Sequence, residues 1–220
     1  MCFSAGASFV GGIVVVAIGV VTLHAVHKPS QIVFASIPMF FGFQQFAEGF
    51  VWLALQNADY AAFLKPATYT FLIMAEVFWP FMVPLAVLQM EKNKKRRKLI
   101  RGFLVMGISV SLYFIFCLLL FKVTPEIRGY HIEYVDTFPK SLRLFVFAIY
   151  LFASIIPLFI SSIHRTYILG ILMALSCLVT ILFFTQYLTS VWCFFGALIS
   201  MVIYWILRDA RRKFFIERRV

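Results

Sequence analysis

The chain has 220 residues, of which 63% are hydrophobic and 13% charged, and it carries a formal net charge of +11. Soluble domains are nearer half apolar and a quarter charged, so this composition is that of a membrane protein and leaves no room for a soluble catalytic domain. The basic runs flank apolar segments, which is typical of membrane topology, so we expect membrane lipids and no nucleic acid as partners.

Seven apolar segments are long enough to cross a bilayer, which takes about 20 residues in a helix. Their apolar residues are continuous rather than alternating, which favours helices over the strands of a barrel. The sequence therefore predicts an all-α, polytopic bundle of seven transmembrane helices in a single domain, residues 1–220. The predicted spans are 8–26, 31–55, 66–90, 99–121, 143–162, 167–187 and 190–207.

The amino-terminal stretch MCFSA contains no charged residue and no cleavage signal, so we interpret the first span as a retained helix. Removal of the first methionine would leave Cys2 with a thiol and a free amine, a pair suited to nucleophilic or metal chemistry. We expect Cys2 and Cys193 to lie close together near the outer face. A disulfide in an oxidising compartment and two unreactive thiols both remain open.

Lys and Arg accumulate in cytoplasmic loops of membrane proteins. Four segments fall on the same side of the predicted bundle and hold 15 of the 20 basic residues: 27–31, 91–101, 164–165 and 208–220. The amino terminus is therefore predicted outside and the carboxyl terminus in the cytoplasm.

The second span carries polar residues inside an aromatic stretch, FFGFQQFAEGFVWLAL. Gln44, Gln45, Glu48 and Trp52 are spaced by three and four residues, which places them on one face of a helix. Glu48 is expected about 10 Å below the outer end of its helix. Exposure of a carboxylate to lipid costs a few kcal/mol, so we predict that Glu48 faces the bundle interior and forms the centre of an outer-half pocket.

Glu76 is expected at a similar depth on the next helix, which runs the other way. Two facing carboxylates cannot both ionise cheaply, and the predicted spans hold no Lys or Arg at that depth. A shared proton or a shared cation is therefore one interpretation. The other is a pair of protonated side chains that hydrogen-bond to Gln44, Gln45 or a hydroxyl and only hold the helices together.

The outer connection 122–142 is long, and long loops in compact domains are usually functional or disordered. Its YHIEYV stretch alternates like a strand, with His131 and Glu133 on one side and Tyr130, Ile132 and Tyr134 on the other. We expect an ordered lid over the bundle. His131 could then reach the mouth above Glu48, although a solvated loop histidine is the simpler reading.

Three prolines, Pro80, Pro84 and Pro157, lie within predicted spans, where each frees a carbonyl group and tends to kink the helix. The histidines near the inner face, His24, His27 and His164, could hold zinc, but interfacial residues in basic flanks are the preferred interpretation. The four cysteines show no metal-ligand spacing, so no metal site is predicted.

MCFSA, QQFAEGFVW (44–52) and SVWCFF (190–195) together resemble an uncharacterised family of bacterial multi-pass membrane proteins, classed only as a domain of unknown function. The resemblance covers nearly the full length. It implies a protein of the bacterial cytoplasmic membrane but brings no reaction, ligand or cofactor. Its motifs direct attention to residues that all fall in the predicted outer half: Cys2, Ser4, Gln45, Glu48, Trp52, Trp192 and Cys193.

Two classes of function are compatible with these features. The first is the binding or transport of a small solute, cation or lipid headgroup, with Glu48 as the polar anchor and tryptophan side chains as walls. The second is a membrane-embedded enzyme acting on a lipid or another apolar substrate, with Cys2 or Ser4 as the nucleophile and His131 or Glu48 as the base. The predicted site residues are Glu48, Gln44, Gln45, Trp52, Glu76, Cys2, Ser4, His131, Trp192 and Cys193.

Overall fold

The computed structural model describes residues 4–217, with side chains described as far as residue 209. This part of the chain forms seven helices and one hairpin. The helices are α1 Ala5–His24, α2 Ile32–Gln56, α3 Ala58–Met90, α4 Lys94–Leu120, α5 Lys140–Ile160, α6 Thr166–Phe183 and α7 Leu188–Glu217. The strands are β1 Val123–Arg128 and β2 His131–Asp136.

Each predicted span coincides with one helix, and six of the seven helices are long and apolar enough to cross a membrane. The exception is α2, which has 25 residues but carries Gln44, Gln45 and Glu48. These polar side chains lower its hydropathy. They are all buried, so α2 is an interior helix whose polar groups face its neighbours.

The first two helices pack closely because glycines face the partner helix. A Cβ atom at Gly19 would lie 2.6 Å from the backbone nitrogen of Met39, and one at Gly42 would lie 2.4 Å from a methyl carbon of Val16. Small residues at such crossings allow close approach of membrane helices. The α1–α2 pair therefore forms a rigid wall of the bundle.

A π-helical turn, Ile73–Phe78, interrupts α3 just before Pro80. Proline has no N–H group, so carbonyl groups one turn earlier lose their usual donor. The Tyr150 hydroxyl donates to the carbonyl oxygen of Ala75 at 2.7 Å, and the Ser111 hydroxyl donates to another carbonyl oxygen of the turn at 2.6 Å. The irregular turn is thereby tied to both α5 and α4.

The connection between α4 and α5 forms an antiparallel hairpin with a turn at Gly129, whose φ is +62°. The alternation of YHIEYV predicted only the second strand, so the all-α prediction missed this small sheet. Ile132 is fully buried, and Tyr134 stacks on Phe71 of α3 at 4.9 Å between ring centroids. Tyr130 does not share this face, because it lies in the turn and is exposed. The hairpin covers one end of the bundle, which we call the hairpin end.

At the opposite end, which we call the basic end, a buried carboxylate joins two loops. Glu91 directly succeeds α3 and is 1% exposed. Its carboxylate accepts hydrogen bonds from the Ser162 N–H and hydroxyl groups, both at 2.6 Å, and from the Asn93 N–H at 2.8 Å. Burial opposes ionisation, but the donors of Ser162 and Asn93 outweigh it and hold the Glu91 pKa below its ordinary value.

Candidate functional site

Two layers of polar groups cross the bundle near the hairpin end. The first holds Gln44 and Trp79, and the second, nearer the hairpin, holds Glu48 and Glu76. In the first layer, the Trp79 indole N–H donates to the Gln44 amide oxygen at 2.8 Å, which fixes the register of α3 against α2. Glu48 and Glu76 each lie about one turn from this pair toward the hairpin end, because α2 and α3 run in opposite directions. The predicted similarity of depth for the two carboxyl groups therefore agrees with the packing.

Glu48 is completely buried, in agreement with its predicted inward orientation. The Ser190 hydroxyl, at the start of α7, donates to its Oε1 atom in a very short hydrogen bond. The second oxygen, Oε2, has no hydrogen-bond partner within the described part of the chain. One oxygen of this carboxyl group is therefore bound to α7.

Two neighbours of Glu48 on the same helix face are also incompletely bonded. Gln45 is fully buried, and neither its amide oxygen nor its amide nitrogen has a partner among the described residues. The same holds for the indole nitrogen of Trp52, which is 2% exposed. A buried polar group without a partner costs about 1–3 kcal/mol, so native proteins keep few of them. With the amide nitrogen of Gln44 and Oε2 of Glu48, four side chains within about two turns of α2 have such a group, which marks a place where polar chemistry is retained at a cost.

Glu76 has different neighbours from Glu48. The charged groups that act on it most strongly are Asp136 and Arg143, which form an ion pair at 2.6 Å at the base of the hairpin. Arg143 is 56% exposed at the start of α5 and acts on Glu76 through space, so the expectation that no basic residue lies at this depth stays a prediction. Both carboxyl groups act on the Cys193 thiol, so a proton or cation shared by Glu48 and Glu76 stays a prediction.

The last helix completes this group of side chains, which we call the polar cluster. Its members are Gln44, Gln45, Glu48, Trp52, Trp79, Ser190 and Cys193. Cys193 is a buried free thiol that lies beside the Gln44 side chain, about one turn from Ser190. Its predicted proximity to Cys2 lies outside the described residues. Trp192 points the other way, and its indole N–H donates to the Ser176 hydroxyl of α6 at 3.2 Å.

A mostly apolar cleft begins where the polar cluster ends and extends toward the basic end. It encloses a cavity of about 40 Å³. Trp79 and Cys193 belong both to the cluster and to the lining of the cleft. The predicted outer-half pocket around Glu48 is thus not the cavity found, because Glu48 lies beyond its end. Other lining residues are Phe41, Tyr150, Ser154, Met173, Trp192 and Gly196.

Two of the residues proposed for catalysis, Ser4 and His131, lie in the described part of the chain, and each has contacts of its own. The Ser4 hydroxyl oxygen accepts a hydrogen bond from the first turn of α1, as an N-cap does, and so has a structural role. His131 packs against the rings of Phe184 and Tyr187, and burial lowers its pKa. Cys2 lies outside the described residues. No group of three metal-ligating side chains occurs between residues 4 and 209.

Sequence reasoning missed two polar partners. Ser190 is the first residue of the SVWCFF motif, yet only the tryptophan and cysteine of that motif were singled out. A hydroxyl three residues before a motif cysteine, on the same helix face, was the available signal. Glu91 was interpreted only as part of a basic topology marker. For Glu91, the signal available in the sequence was a carboxylate directly before a run of cationic residues.

A bundle of seven helices around buried carboxyl and amide groups, with six helices able to span a membrane, is the architecture of a multi-pass membrane protein. The chain belongs to the family of unknown function DUF6629, whose profile matches residues 1–218. No curated protein and no solved structure matches the chain.

Proposed function

We propose that the protein binds a small cation or cationic solute at the hairpin-end cluster and serves its passage into or across the membrane. The observation that carries this proposal is Glu48, a fully buried carboxyl group with one oxygen bound to Ser190 and the other without a partner in the described chain. An ionisable residue inside a membrane is costly and is functional by default.

The chemistry around Glu48 suits a positive charge. The carboxyl group supplies charge, and the amide oxygen of Gln45 supplies a second acceptor without a partner among the described residues. Trp52, also on this face, adds an aromatic side chain, and aromatic faces attract cations in desolvated sites. A proton on Glu48 would replace the cation when the site is empty, so binding is expected to release a proton.

A protection assay tests this proposal. Carbodiimides modify protonated carboxyl groups in apolar surroundings, so Glu48 of the purified protein in nanodiscs should be modified slowly and measurably by mass spectrometry. Sodium, potassium, ethylamine and choline are the probes. At ten times its Kd, a probe that occupies the site should slow modification of Glu48 by about tenfold.

The control is Glu48→Gln, which should fold with unchanged yield, because an amide resembles a protonated acid in shape and hydrogen bonding. In that variant, no residue should show modification that a probe suppresses. Glu76 in the wild-type protein is the internal reference, and its modification should not respond to the same probe. If none of the four probes slows modification of Glu48, the cation-binding proposal is wrong and the carboxyl group only joins α2 to α7.

We also propose that the hairpin end faces outward and the basic end faces the cytoplasm of a bacterial cell. The seven cationic residues of segment 91–101 support this orientation. Single cysteines placed at 95 and at 130 should react differently with a membrane-impermeant maleimide added to intact cells. Labelling at 130 alone is expected, and labelling at 95 alone would reverse the orientation.

A further inference from the structure

We infer that the ligand of the Glu48 site is an amphiphile, with a small cationic head at Glu48 and a single alkyl chain in the cleft beneath it. This inference rests on the proposed function and names the class of ligand. It draws on the cleft, which the Glu48 chemistry alone does not use.

The polar cluster and the cleft share two side chains, Trp79 and Cys193. Trp79 donates to Gln44 in the cluster, and the other side of its ring lines the cleft, stacked on Phe41 at 3.9 Å between centroids. Cys193 lies beside Gln44 and lines the cleft as well. A molecule whose charged end contacts Glu48 would therefore place its next atoms beside these two side chains, and its chain would pass the Trp79–Gln44 hydrogen bond to enter the cleft.

The cleft is suited to an alkyl chain rather than to a hydrated solute. Its lining is dominated by aromatic and aliphatic side chains. The cavity of about 40 Å³ has room for only a few water-sized groups, which corresponds to a short run of methylenes. Gly196 leaves this space open because it has no side chain: a Cβ atom there would lie 2.7 Å from the Phe41 ring.

One buried hydroxyl in the lining still lacks a partner. Ser154 of α5 is 4% exposed, and its oxygen has no hydrogen-bond partner in the described part of the chain. It sits among Tyr150, Leu158 and Met173, so apolar groups surround it on the cleft side. Because serine is small, the cleft stays open at this position, whereas a larger side chain would fill it. A substitution at Ser154 can therefore block entry of the alkyl chain.

The test compares ethylamine, butylamine and octylamine as probes in the Glu48 protection assay. Ser154→Leu fills the cleft, and Phe152→Leu is the matched control, because Phe152 lies on the same helix and is 52% exposed on its outer face. Each amine's half-protecting concentration is expressed as the ratio of variant to wild type. Partition of the amine into the bilayer cancels in this ratio.

Ser154→Leu should leave the ratio near one for ethylamine and raise it by about tenfold or more for octylamine, because overpacking by an added side chain is costly. Phe152→Leu should give a ratio near one for all three amines. Ratios near one for octylamine in Ser154→Leu would overturn the chain assignment and leave the cation site standing. Failure of every amine to protect wild-type Glu48 would overturn this inference together with the proposed function.

A second measurement does not depend on folding of the variant. Octylamine with a diazirine at the end of its chain should, after illumination of the wild-type protein, crosslink to lining residues such as Ser154 and Met173. Excess unmodified octylamine should suppress these crosslinks. Crosslinks confined to lipid-facing side chains such as Phe152 would refute the placement of the chain.

Discussion

Gly107→Ala is expected to destabilise the bundle more than any other methyl-sized change in the helices. A Cβ atom at this position of α4 would lie 1.9 Å from the carbonyl oxygen of Pro80, well inside contact distance. The obstacle is backbone rather than a flexible side chain, so α3 and α4 must separate. Overpacking of this kind costs about 1–3 kcal/mol and occasionally more, and here it also strains the hydrogen bond from Ser111 to the π turn.

Thermal unfolding in detergent, monitored by the loss of monodisperse protein, measures this effect. Gly102→Ala is the matched control, because nothing lies within 4 Å of a Cβ atom at Gly102 on the same helix. Alanine there should be neutral or stabilise the helix by up to about 1 kcal/mol. Equal melting temperatures for the two variants would show that α3 and α4 are not in the close contact described at Pro80.

Glu91→Gln is expected to destabilise the basic end by about 1–3 kcal/mol at neutral pH, the usual cost of an unsatisfied buried group. The carboxylate accepts three hydrogen bonds, from Ser162 and Asn93. Glutamine has an NH₂ group in place of one carboxylate oxygen, so a donor would then face an N–H or hydroxyl donor of Ser162 or Asn93. The loop after α3 should therefore separate more readily from the loop after α5.

The pH dependence gives a second readout for Glu91. Its pKa is lowered in the folded protein, so its contribution to stability is present above the unfolded pKa, about 4.3, and is lost as the pH falls through the lower folded value. The melting-temperature gap between wild type and Glu91→Gln should thus be full at pH 7 and shrink below about pH 4. Glu126→Gln, at a partly exposed carboxylate that pairs with Arg128 in the hairpin, should give a much smaller gap, because surface ion pairs contribute little to stability. A gap that stays constant from pH 7 to pH 3 would mean that the charge of Glu91 is not what stabilises the loops.

The sequence alone determined the membrane class, the helices and the inward face of α2. Long apolar runs can satisfy their backbone groups in lipid only as helices or closed barrels, and the absence of alternation removed the barrel. The burial of Glu48 was predictable from the same energetics, because lipid offers no partner for a carboxyl group. One strand of the hairpin was visible in the alternation of residues 130–135, although Tyr130 belongs to the turn, and its partner strand was not predicted.

Tertiary structure alone decided which groups meet. Ser190 lies 142 positions from Glu48 along the chain, and their contact depends on how α7 is rotated against α2. Rotation is hard to infer for a membrane helix from its sequence, because its lipid-facing and interior-facing sides are both apolar. Glu76 lies in a π turn before Pro80, where Asp136 and Arg143 act on it, and no periodicity count includes the extra residue of such a turn. The cleft is a property of several helices packed together, so it exists in no single segment of the sequence.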